Sequence, residues 1–205
     1  MDEYNRQLIH VPILHSSADM GSLQEGLEAV YVEQFGRRRW EEHVVLIEKF
    51  WQTVHAELDG LDMDYHRVDL YQDGLPVCGK EFQIAEETAA KGSENYQLLI
   101  DLIARGATLM GTEDPSLLLQ EYRSIKESLA KKLVKDHSAI ATSAGSAEIL
   151  TKRDAYIGRR IGETHAPGRT GILFLGVMHR VEAYLPEDII VTHLRMTVGG
   201  RGKHN

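Results

Sequence analysis

A single cysteine, Cys78, in a chain of 205 residues rules out an intrachain disulfide and any zinc site built from several thiolates of one chain. No stretch approaches the roughly 20 consecutive apolar residues that a membrane-spanning helix requires. The opening Met1-Asp2-Glu3-Tyr4-Asn5-Arg6 is polar and lacks the apolar core of a secretory leader, so the sequence reads as cytoplasmic, with no membrane partner. Positive charge is in deficit. Lys and Arg number 23 against 31 Asp and Glu, and the net charge of -8 removes the basic surface that nucleic-acid binding needs. Several catalytic signatures are also missing: the Gly-rich phosphate loop ending in Lys-Ser/Thr, the Gly-x-Ser-x-Gly elbow, His-Glu-x-x-His, and a Gly-x-Gly-x-x-Gly joining strand to helix.

What is present is a periodic apolar pattern long enough to bury one core. Leu8-Ile9-His10-Val11-Pro12-Ile13-Leu14 reads as a strand running into the polar turn His15-Ser16-Ser17-Ala18-Asp19-Met20-Gly21. From Ser22 to Leu58 the pattern is helical, with a break at Gly36, and Trp40, Val44, Ile47, Trp51, Val54 and Leu58 share one apolar face. That face is also a candidate surface for homo-oligomer formation. A strand over His66–Tyr71 closes in the turn residues Asp73-Gly74-Leu75-Pro76. Helices follow near Lys80–Ala90 and Glu94–Arg105, then a short strand over Ala107–Met110. At Gly111-Thr112-Glu113-Asp114-Pro115 the chain turns sharply into another helix, with Asp114 suited to the N-cap and Pro115 to the first helical position. A helix from Ser146 to Thr164, a buried strand at Ile172-Leu173-Phe174-Leu175 and a short strand at Ile189–Thr192 complete the pattern.

Apolar strands alternating with helices predict an α/β fold: a central, mainly parallel sheet flanked by helices on both faces, as a single domain over residues 1–198. Residues 199–205 read as a mobile C-terminal tail. In such a fold ligands gather at the carboxyl ends of strands. Three of those ends carry ionisable residues: His15, Glu113 and, after Leu175-Gly176-Val177-Met178, His179. His15, His179 and Glu113 together could ligate a divalent metal (Mn, Co or Zn) that activates water, or act as a metal-free acid/base group. Each also has a plain structural role available, as a turn residue or helix-dipole partner.

The helix adds an independent clue. Ala147, Leu150, Asp154, Ile157 and Ile161 share one face at helical spacing, so Asp154 points inward from an apolar surface. A buried carboxylate needs a partner, and neighbouring Arg153 or a strand-end histidine could supply it.

The stretch from Arg153-Asp154-Ala155-Tyr156-Ile157 through Gly171-Ile172-Leu173-Phe174-Leu175-Gly176-Val177-Met178-His179 resembles the TraB/Tiki, ChaN and erythromycin-esterase superfamily, where an Arg-Asp helix precedes a strand ending in Gly-x-x-His. Gly111-Thr112-Glu113-Asp114-Pro115 is similar to acidic strand ends of the esterase-like branch. Pro12-Ile13-Leu14-His15 is the nearest match to an early Gly-x-x-His, with Pro12 in the glycine position. The resemblance implies a pocket using His179, His15 and acidic partners, in a group whose chemistry runs from metal-dependent peptide cleavage to ester hydrolysis and haem binding. The expected function is a hydrolase of ester or amide bonds acting on a small molecule or peptide. His179, Glu113 and Asp154 would be its catalytic residues, with Arg153 and Gly176 at the substrate. The alternative is a non-catalytic module of the same fold that binds a small ligand or haem.

Overall fold

The computed structural model describes residues 5–133 and 144–196, so the expected C-terminal tail lies outside the described residues. Five strands form one sheet in the order β3-β2-β4-β1-β5, and every pairing is parallel. They are β1 (Arg6–Ile13), β2 (Val68–Gln72), β3 (Thr108–Met110), β4 (Thr170–Gly176) and β5 (Ile189–His193). The helices are α1 (Gln24–Phe35), α2 (Arg37–Asp59), α3 (Glu81–Ala90), α4 (Glu94–Ala104), α5 (Pro115–Leu133) and α6 (Ala144–Thr164). Short 3-10 helices cover Ser17–Leu23, Tyr65–Arg67 and Val181–Tyr184.

Side-chain alternation along β4 separates two apolar layers. Ile172 and Phe174 pack with Ile47, Trp51, Val54 and Leu58 of α2 and Leu98, Leu99 and Leu102 of α4. Leu173 and Leu175 face the other way, onto Ile157 and Ile161 of α6 and Val181 of the last 3-10 helix. The sheet is therefore covered on both faces, as its uninterrupted apolar strands require. Gly36, at φ 86°, separates α1 from α2 where a residue with a Cβ would be strained. The predicted apolar face of α2 divides in two. Ile47, Trp51, Val54 and Leu58 belong to the core, whereas Trp40 and Val44 line a surface cleft. Among the described residues no helix is long and apolar enough to cross a membrane.

Asp114 caps α5 as its sequence position suggests, accepting from the backbone N–H of Ser116 at 2.7 Å. The segment after β1 is not a plain turn. It winds into the 3-10 helix Ser17–Leu23, fastened where Asp19 accepts from the Ser16 N–H at 2.6 Å and from the Ser93 hydroxyl at the start of α4. Trp51 adds a 3.1 Å hydrogen bond from its indole N–H to the carbonyl of Leu14. These contacts fix the three-residue link between β1 and that 3-10 helix, Leu14-His15-Ser16, and so hold His15 in place.

Candidate functional site

The three central strands, β2, β4 and β1, are neighbours, so the residues that leave their carboxyl ends meet at one edge. Asp73 leaves β2, Gly176 ends β4 and His15 follows β1. Asp73 is the hub. Its Oδ2 accepts from the Gly176 N–H at 3.0 Å and lies 3.5 Å from His179 Nε2 and 3.8 Å from His15 Nε2. Its Oδ1 accepts from Arg153 Nη2 at 2.6 Å. A Cβ at position 176 would stand 2.9 Å from Asp73 Oδ2, so glycine is what allows the strand to pass this close to the carboxylate.

Arg153 of α6 is a buried strut. Its Nε and Nη2 donate to both oxygens of Glu113 at 2.6 Å each, in a bidentate pair, and Nη1 donates to Glu121 of α5 at 2.6 Å. Glu113 Oε1 accepts in addition from the Gly74 N–H at 2.7 Å. Asp154, next along α6, takes the partner that its inward position demands: Oδ1 accepts from His179 Nδ1 at 2.5 Å and Oδ2 from the Arg180 N–H at 2.9 Å. One helix thus supplies two adjacent residues to three strand ends, Arg153 to those of β2 and β3 and Asp154 to that of β4.

Electrostatics follow from this wiring. Burial disfavours a charged His179, but Asp154 and Asp73 outweigh it and raise its pKa to about 9, so the ring is an imidazolium at neutral pH. Burial pushes Asp73 upward, yet His179, Arg153 and His15 together hold its carboxyl well below the usual range. Glu113 is raised, because its burial is only partly offset by Arg153.

The two histidines differ in access. The side chain of His179 is 4% exposed and that of His15 is 37% exposed. His15 lines a cleft of about 450 Å³ with Leu27, Tyr31, Trp40, His43 and Ile47, over the layer formed by α2. His179 borders a second cavity of about 420 Å³ on the α6 side.

Of the residues singled out from sequence, His15, His179, Asp154, Arg153 and Gly176 meet around Asp73. Glu113 lies behind Arg153, with both oxygens committed to it. The Glu113 carboxylate therefore does not fit the part of a metal ligand beside His15 and His179, and the acidic neighbour of both imidazoles is Asp73. Among the described residues, the one group of three potential ligands whose donor atoms lie within 4.8 Å of one another is elsewhere, at His10, Glu182 and His193. Sequence reading missed Asp73, which was assigned to turn chemistry. Its position just past β2 matches that of His15 past β1, so the strand-end rule that found the histidines also selects it. Compared with family models, curated proteins and solved structures, the chain matches none.

Proposed function

We propose that this protein hydrolyses an ester or amide bond of a small, largely apolar substrate, with His15 as the general base. The observation that carries the reading is Asp73, a buried carboxylate shared by the buried His179 ring on one side and the accessible His15 ring on the other. In this mechanism a water hydrogen-bonded to His15 Nε2 attacks the carbonyl carbon. Its proton passes to His15, whose new charge is stabilised by Asp73, and then from His15 to the leaving alcohol or amine as the C–O or C–N bond breaks. His179 positions Asp73 without touching substrate. Asp154 holds its Nδ1–H, and the resulting cation keeps Asp73 ionised and fixed. Arg153 has the same service on the opposite oxygen, so its predicted place at the substrate becomes one of support. The apolar and aromatic lining of the cleft at His15 favours an apolar acyl or aryl group.

The test is turnover of aryl esters and anilides of increasing acyl length by the purified full chain, with His15→Ala alongside. Hydrolysis that falls at least a hundredfold in His15→Ala, while the variant keeps its melting temperature, supports the reading. A wild-type chain inert across the panel from pH 6 to 10 but retaining an apolar compound in the cleft would instead favour the non-catalytic binding module.

A further inference from the structure

His10 and His193 are Cα partners in the adjacent parallel strands β1 and β5. They stand on the α6 face of the sheet, the face of Leu8 and Ile189, and their ring centroids are 4.9 Å apart. Above them is Glu182, on the 3-10 helix Val181–Tyr184, three residues past His179. That helix is held down on α6 at Gly158, where an added Cβ would come within 2.6 Å of Tyr184 Cβ. Glu182 Oε1 is 3.1 Å from His193 Nε2 and 3.7 Å from His10 Nδ1. The second contact is too long for a hydrogen bond, and His10 Nε2 is buried with no hydrogen-bond partner. The nitrogen that faces Glu182 is Nδ1, and with no hydrogen bond to that carboxylate it has uncommitted ligating capacity at a site that Glu182 and His193 share.

We infer that His10, Glu182 and His193 form a site for a divalent transition metal of the zinc class, separate from the Asp73 cluster and independent of the hydrolase reading. Two donor atoms each about 2.0–2.1 Å from a tetrahedral zinc lie about 3.3–3.4 Å apart. The observed 3.1 and 3.7 Å bracket that separation, and all three donor atoms lie within 4.8 Å of one another. Two imidazoles and one carboxylate are a donor set that zinc accepts, and three protein ligands leave the fourth position open. These residues line the 420 Å³ cavity whose other walls include Leu173, Leu175 and Val191, so an exogenous ligand would bind the metal beside apolar surface.

The test is titration of the tag-free, metal-stripped full chain with Co²⁺, followed by displacement with Zn²⁺. Uptake of one equivalent with the strong visible absorption of a tetrahedral ion is expected. His193→Ala and Glu182→Gln should each weaken it at least tenfold. Their side chains are 62% and 53% exposed, so neither variant threatens the fold. His15→Ala should leave the titration unchanged. Absence of uptake, uptake indifferent to both ligand variants, or uptake abolished by His15→Ala would each overturn the assignment.

Discussion

Buried charge collects at both ends of this sheet, and the two ends handle it differently. At the amino end Asp69 of β2 pairs with His165 at 3.2 Å and Arg169 at 2.7 Å. The remaining polar atoms there turn to backbone: His165 Nε2 lies 2.9 Å from the Gln7 carbonyl, and Arg169 donates to the carbonyls of His66 and Val68. Arg6 closes the same end by donating to the carbonyls of Gly162 and His165 and to Asp188. At the carboxyl end the charges pair mainly with one another, and the cluster borders two cavities. Buried ionic networks by themselves indicate cross-bracing, since satisfied pairs hold elements together without offering anything to a ligand. Access through His15 is what distinguishes the carboxyl end.

This contrast can be broken in several ways. The largest effect should come from Arg153→Met, which leaves Glu113 and Glu121 without their cation and Asp73 with His179 alone. A loss of about 3–5 kcal/mol in chemical denaturation is expected. Arg169→Met at the amino end, where the side chain is partly exposed and Asp69 keeps His165, should cost less than half as much. Equal losses would mean that the two ends are the same kind of brace. Next, His15→Ala should lower kcat/KM on a responsive ester by about 10²–10⁴-fold. It should leave stability within about 0.5 kcal/mol of wild type. Asp69→Asn, compared at equal folded fraction, should leave turnover intact.

Two smaller effects sharpen the picture. His179 has a pKa raised above its unfolded value, so its contribution to stability is complete below about pH 6.5 and disappears as pH rises through about 9. At about 1.4 kcal/mol per unit, that is on the order of 3 kcal/mol lost across the interval. Asp154→Asn should flatten most of the alkaline decline in melting temperature, and an unchanged slope would assign the decline to other groups. Gly176→Ala places a methyl against Asp73 Oδ2 and should cost about 1–3 kcal/mol through forced displacement of the carboxylate.

Much of this was legible in the sequence because apolar periodicity and strand-end polarity are local signals. The parallel sheet followed from uninterrupted runs such as Ile172–Leu175, and the inward carboxylate of Asp154 from the spacing of its apolar neighbours on α6. The rule that parallel strands end on one edge puts His15, Gly176 and His179 on the same side of the sheet, but it leaves open whether the histidines meet and says nothing of Arg153 and Asp154, which come from α6. Less legible was which charge pairs with which. Glu113 resembles a free acid in sequence, and only the packing of α6 against β2 and β3 commits it to Arg153. Asp73 sits in a run of turn residues, whose composition hides that its side chain faces inward. His10, Glu182 and His193 come together through strand register and the docking of a four-residue 3-10 helix, neither of which leaves a spacing signature.

The claim at the centre of this account is that Asp73 separates a buried His179, charged at neutral pH, from an open His15. Heteronuclear NMR titration of the histidine rings measures it directly. With assignments from His179→Gln and His15→Ala, the account predicts that His179 stays protonated at both nitrogens through neutral pH, deprotonates near pH 9, and titrates lower in Asp154→Asn. A His179 ring that is neutral at pH 7 and indifferent to Asp154→Asn would contradict it.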